Sequence, residues 1–166
     1  NTIVVSGTSS TNLFNESANR NIVGGTLAGS QLSSAADNFY GGYNAGRYGD
    51  GGTNIAIGSY ALRGVASNNF NRNVGIGYRA GSNVTTGSDN IFVGYNAGQL
   101  ITTGGTNVAI GSSAGYSTDT GVRNVFVGNS TGYLNAGGGD NVYIGHQAGN
   151  QSVSASCVVS IGQSAG

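Results

Sequence analysis

Residues 90–98 read NIFVGYNAG, and residues 107–115, 124–132 and 141–149 read NVAIGSSAG, NVFVGNSTG and NVYIGHQAG. Self-similarity at a short fixed period marks a stacked repeat architecture, in which no single unit buries a core of its own. Extending the alignment both ways adds units opening at Asn21, Asn38, Asn54 and Asn73 and, with valine in the asparagine place, at Val158. The spacings are 17, 16 and 19 residues and then 17 throughout. With the opening residue as position 1, position 5 is glycine in all nine units, from Gly25 to Gly162. Such a column needs positive φ or leaves no room for a Cβ. A second glycine follows alanine at position 9 in most units, as in Ala80-Gly81, Ala97-Gly98 and Ala114-Gly115, with exceptions at Leu62 and Thr131. Two fixed turns per coil are expected.

Positions 2–4 are rich in Ile, Val, Phe and Tyr and too short for a helix, so each predicts a short strand. Side chains alternate across a strand, so positions 2 and 4 (Ile91 and Val93, Val108 and Ile110, Val125 and Val127) share a face. That column is expected to be the solenoid core. The intervening residues are Val23, Tyr40, Ala56, Gly75, Phe92, Ala109, Phe126 and Tyr143, hardly the residues of a wet face, so both faces are expected to be covered. Sister chains are the simplest second layer. The rest of each unit, for example QLITTGGT after Gly98, predicts a weaker second strand holding Leu100 and Ile101. Asparagine opens eight of nine units, and stacked amides there would form a ladder that fixes coil register. The residue before each unit runs Asp37, Thr53, Arg72, Asp89, Thr106, Arg123, Asp140, and Tyr40, Phe92 and Tyr143 stand three units apart, a three-coil block. Coil stacking at about 4.8 Å puts Arg72 beside Asp89 and Arg123 beside Asp140 as registry ion pairs.

The composition of the 166 residues narrows the function. There are 32 glycines and no proline, methionine or tryptophan, with six basic and six acidic residues. All six basic residues are arginines, too few and too balanced for a nucleic-acid backbone or an anionic membrane. No apolar run approaches the roughly 18 residues of a transmembrane helix, and the opening NTIVVSGTSS has no basic n-region or cleavage site. The chain reads as a mature protein or a piece of a longer one. One cysteine excludes an intrachain disulfide.

Catalysis needs convergent groups, and one histidine, one cysteine and six carboxylates spread along a rod do not supply them. Asp37, Asp89 and Asp140 lie three coils apart, about 14 Å, wider than the 5–9.5 Å of a glycosidase pair. His146 reads as a solvated turn residue, and Cys157 as a buried or partly covered thiol with no paired base. GGGD at 137–140 occurs once, so calcium-roll periodicity is absent. A chain without lysine holds no phosphate-binding GxxxxGK[ST] loop, and no cofactor is expected. Thr85-Thr86 and Thr102-Thr103 hint at an ice-binding array that Asp119, Ala136 and Ser154 break. Sequons at Asn15, Asn83, Asn129 and Asn150 are about as many as chance provides in so Asn- and Ser-rich a chain. Tyrosines are the more informative surface feature. Tyr43, Tyr78 and Tyr95 follow the invariant glycine, and Tyr116 and Tyr133 follow position 9, as rings able to stack on sugar faces or to pack at turns and between subunits.

The units NIAIG at 54–58, NVAIG at 107–111 and NVYIG at 141–145, each followed by an Ala-Gly-like pair, resemble the YadA-like head repeats of trimeric autotransporter adhesins. They are equally similar to shaft repeats of phage tail-fibre and bacterial surface proteins. The resemblance spans residues 21–166; the 17-residue unit is longer than the family's head repeats, and no neck, stalk or anchor is recognisable. It implies a left-handed parallel β-roll trimerised along its length, displayed outside a cell or on a virion and used for attachment. The expectation is thus an all-β parallel solenoid of about nine coils over 21–166, with residues 1–20 as an N-terminal cap or arm. Its partners are further copies of itself, as trimer or polymer, and a cell-surface glycan, with no nucleic acid and no membrane insertion. The function expected is that of a non-enzymatic shaft or head of an extracellular adhesive fibre, or alternatively a carbohydrate-binding module on the same rod.

Overall fold

The computed structural model describes residues 3–5, 20–65 and 68–166. Ten three-residue strands run through them: β1 (Ile3–Val5), β2 (Ile22–Gly24), β3 (Phe39–Gly41), β4 (Ile55–Ile57), β5 (Val74–Ile76), β6 (Ile91–Val93), β7 (Val108–Ile110), β8 (Val125–Val127), β9 (Val142–Ile144) and β10 (Val159–Ile161). They form one sheet in strict chain order, every neighbouring pair parallel. Register is coil on coil, with Ile91 opposite Val108, Phe92 opposite Ala109 and Val93 opposite Ile110. This is the expected all-β parallel solenoid. Strand β1 pairs in the same register with β2, while the remaining question of cap or arm falls on residues outside those described.

The return path corrects one expectation, because it contains no second strand. It is a run of turns and bends whose backbone groups bond from coil to coil, as in Thr85 N–H to Thr102 O at 2.9 Å and Thr102 N–H to Asp119 O at 3.0 Å. Only two isolated bridges, Gly49 to Asn68 and Val122 to Gly139, interrupt it among the described residues. Each coil also has more corners than the two expected. Besides the glycines of positions 5 and 9, the residue before the unit and that at position 7 take positive φ, for example Thr106 (59°) and Ser113 (54°).

The core lies on the opposite strand face from the one expected. Position 3 is inside: Tyr40, Ala56, Phe92, Ala109, Phe126 and Tyr143 are buried, while Ile55, Ile57, Ile91, Ile110 and Ile144 of positions 2 and 4 are exposed. The reason is room. The interior is lined by alanines of position 8 (Ala45, Ala61, Ala80, Ala97, Ala114) and by position 9 glycines, a pairing that receives flat rings. A Cβ on Gly98 would stand 2.3 Å from Phe92 Cδ1, and one on Gly132 2.2 Å from Phe126 Cδ1. In the 19-residue coil, where position 3 is Ala56, Phe70 enters the core instead.

Two columns set the register. The asparagine ladder forms as expected: each Asn side chain accepts from the backbone and side-chain amides of the next coil's Asn and donates to a carbonyl of the return turn. Asn107 Nδ2 donates to Asn90 Oδ1 (3.1 Å) and to Gly121 O (2.8 Å), and Asn107 Oδ1 accepts from Asn124 N–H at 3.0 Å. The ladder runs from Asn21 to the Val158 N–H. Beside it the position 5 glycines stack directly, so a Cβ on Gly111 would meet Gly128 O at 2.3 Å.

Candidate functional site

Position 6 follows the invariant glycine at the corner after the strand, so a side chain there points outward from the same corner in every coil. Tyr43, Tyr78 and Tyr95 occupy it, and all three are exposed. Tyr60, one position later in the intervening coil, bridges them: its ring lies edge-on to Tyr43 at 5.2 Å and to Tyr78 at 6.1 Å, and Tyr78 stacks on Tyr95 at 5.4 Å. Four rings therefore form one run over four coils. Tyr116 and Tyr133 stand in another column, position 10, where they stack at 4.8 Å and 3°. The structure thus divides the five candidate tyrosines into two groups. Tyr60 was missed because alignment by column puts it out of line with the others, although its ring reaches those of Tyr43 and Tyr78 in the coils on either side.

Arginines accompany the longer run. Arg79 lies 5.2 Å from the Tyr78 ring and 5.7 Å from that of Tyr60, and Arg63 lies 5.9 Å from Tyr60. Arg47, one coil back in the column of Arg63, sits 4.9 Å from Tyr48. The other three arginines form ion pairs, each at 2.6 Å: Arg72 with Asp89 and Arg123 with Asp140, as expected, and Arg20 with Asp37 in the same columns. Hydrogen bonding from Arg72 holds the Asp89 carboxyl below its ordinary value, and Arg123 does the same for Asp140. All are exposed, so the pairs act as register marks of small energy.

Two surface depressions lie between positions 7, 10 and 11 of successive coils. One, of about 180 Å³, is lined by Tyr60, Arg63, Arg79, Ser82, Asn83 and Gln99. The other, of about 280 Å³, is lined by Ser130, Tyr133, Leu134, Gln147, Asn150 and Gln151 and carries no charge. His146 is exposed, as expected of a turn residue. Cys157 is exposed as well, which corrects the expectation of a covered thiol: it stands in the outward column before the unit, with φ 59°. The described residues bring no three His, Cys, Asp or Glu side chains together in a metal-binding group, and they contain no helix long and apolar enough to cross a membrane.

The outer strand face is apolar and exposed. Ile22, Phe39, Ile55, Ile57, Ile76, Ile91, Ile110, Ile144, Val159 and Ile161 are 37–69% exposed, and together they form two adjacent apolar columns down the sheet. At about 4.8 Å per strand the face is about 38 Å long from β2 to β10. No family model, curated protein or solved structure matches this chain.

Proposed function

We propose that the chain is a non-enzymatic structural protein, the shaft or head of an extracellular adhesive fibre or filament, assembled from copies packed side by side. The exposed isoleucine face carries this reading. Contiguous apolar patches beyond a few hundred Å² mark association surfaces, and parallel sheets are ordinarily covered on both faces. A further copy is the partner whose periodicity matches the face coil for coil, and a trimer closes three such faces around one axis. Light scattering on size-exclusion fractions tests it. A species near three times 16.5 kDa, reduced to one chain by Ile91→Asp with Ile110→Asp, supports the reading. A native monomer overturns it, and long filaments replace the trimer with a polymer.

A second reading, a carbohydrate-binding module on the same rod, is favoured by the aromatic run of Tyr43, Tyr60, Tyr78 and Tyr95. Exposed rings present the flat apolar faces on which sugars stack. Its test is loss of glycan binding in Tyr78→Ala and Tyr95→Ala with the oligomer unchanged.

A further inference from the structure

Two guanidinium groups converge on the ring of Tyr60, Arg63 at 5.9 Å and Arg79 at 5.7 Å, and neither pairs with a carboxylate among the described residues. That is unusual here, because the arginines of the neighbouring outward column are each matched to an aspartate one coil on. Arg63 Nε and Gln99 Oε1 are fully buried without a hydrogen-bond partner, and both residues line the same depression of about 180 Å³. A buried donor left unmade is costly, and so are two cations brought to one ring without a counter-charge. An anion relieves the Arg63 donor and the two cations, and a hydroxyl carried by the same ligand relieves the Gln99 acceptor.

We propose that this depression binds an acidic sugar, a glycan unit carrying a carboxylate or sulfate. The anionic group sits between Arg63 and Arg79. The sugar ring lies against Tyr60, and its hydroxyls bond to Ser82, Asn83 and Gln99. Arg47, in the column of Arg63 one coil back, extends the basic strip toward a neighbouring unit of the chain. A glycan is favoured over a nucleic acid because, among the described residues, only three arginines lack a carboxylate partner, they cluster within three coils, and the remaining lining is neutral and amide- or hydroxyl-bearing. A phosphate backbone calls for cations along its whole track. The depression at Tyr133 uses the same unit positions without arginine, so the charge is a local addition to a shared groove. This inference rests on the carbohydrate-binding reading and narrows it to acidic glycans.

The test uses the whole chain immobilised against four probes: an oligogalacturonate, a heparin-derived sulfated oligosaccharide, a neutral cello-oligosaccharide and a single-stranded oligonucleotide. Arg63→Gln with Arg79→Gln is compared with Arg72→Gln with Arg123→Gln, which has the same net charge. The expected result is salt-sensitive binding of one or both acidic probes, weakened about tenfold or more by the first pair and little by the second, since charged hydrogen bonds are the stronger ones. Carboxylate and sulfate arms identify the anion. Equal binding of the neutral probe overturns the acidic assignment and leaves the carbohydrate reading standing. Absence of binding to every glycan overturns both. Oligonucleotide binding that is equally tight and equally dependent on Arg63 and Arg79 replaces the glycan with a nucleic acid. Unchanged solution mass and β-sheet circular dichroism in each variant separate loss of the site from loss of the fold.

Discussion

Gly75 stands directly against Leu62: a Cβ built on Gly75 would lie 2.7 Å from Leu62 Cγ and 3.0 Å from Ala80 O. This inverts the arrangement of other coils, where a ring at position 3 packs on a glycine at position 9. Large and small residues are exchanged across the interior while the filled volume is kept. Gly75→Ala is expected to cost about 1–3 kcal/mol by overpacking, and Leu62→Ala about 2–5 kcal/mol by leaving a cavity. In the double variant the new methyl occupies part of the vacated space. Its cost, measured by denaturant unfolding, should fall short of the sum by about 0.5–3 kcal/mol; strict additivity would show that the two residues do not share one space.

Asn107 is held on both sides by its own column. Truncation to alanine removes its donations to Asn90 Oδ1 and Gly121 O and strands the buried Asn124 N–H that it accepts. Each buried group left unpaired costs about 1–3 kcal/mol, so Asn107→Ala should lower stability by more than one such step. Asn107→Asp keeps the acceptor for Asn124 but points oxygens at two acceptors, so it should not rescue. Hydrogen exchange localises the effect: the amides of Val108 and Asn124 should lose protection before those of distant coils, as expected when repeats communicate only with neighbours.

Periodicity carried most of the architecture into view. The nine units, their register, the asparagine ladder and the Arg72–Asp89 and Arg123–Asp140 pairs all follow from aligning columns, since stacking turns sequence period into spatial adjacency. The inside and outside of the strand did not follow. Hydrophobicity separates faces only when one of them is polar, and here Ile91 and Val93 are as apolar as Phe92. The deciding signal lies in the pairing of columns: glycine at position 9 opposite a ring at position 3, and Leu62 where that partner is Gly75. The candidate site was half legible for a related reason. Column reading finds Tyr78 and Tyr95 at position 6 but sets apart Tyr60 and Arg79, both at position 7, and Arg63, at position 10, which the turn after the strand brings to one depression.

Asp50 closes a turn of the preceding coil. Burial pushes its pKa up, but the Ser33 hydroxyl and the N–H groups of Ser34, Ser33 and Ala35 outweigh it and hold the carboxyl below the ordinary 3.8. Ser33 and Ser34 N–H lie 2.7 Å from Oδ1 and Ala35 N–H 3.2 Å. A carboxyl depressed in the folded state stabilises fully above its unfolded pKa, and that stability is lost as pH falls through the folded value. Asp50→Asn should therefore be less stable than the native chain at neutral pH, with the gap closing as pH falls below 3.8. Thermal melts of both proteins across the acid range check this; a gap that persists undiminished at the acid end would assign the loss to shape rather than charge.

Thr118 occupies position 12, an interior column that holds Val84 and Ile101 in the two preceding coils, and all three are completely buried. Its Oγ1 has no hydrogen-bond partner among the described residues. A buried hydroxyl in that state bears its desolvation cost without return, whereas a methyl group of the same shape does not. The Cγ2 lies close to where a Cβ on Gly121 would stand, 2.5 Å, so any replacement must keep the branch and add no volume. Valine meets both conditions and matches the column. Thr118→Val is thus expected to stabilise the chain by about 1 kcal/mol, raising the melting midpoint by about 2–4 °C for a protein of this size. Thr118→Ser, which keeps the hydroxyl and deletes the methyl, should lower it. If valine instead destabilises, the hydroxyl is being satisfied inside the solenoid, and the interior near Asn135 and Tyr143, whose Nδ2 and OH are also buried and unpartnered, is a hydrated polar channel rather than a dry core.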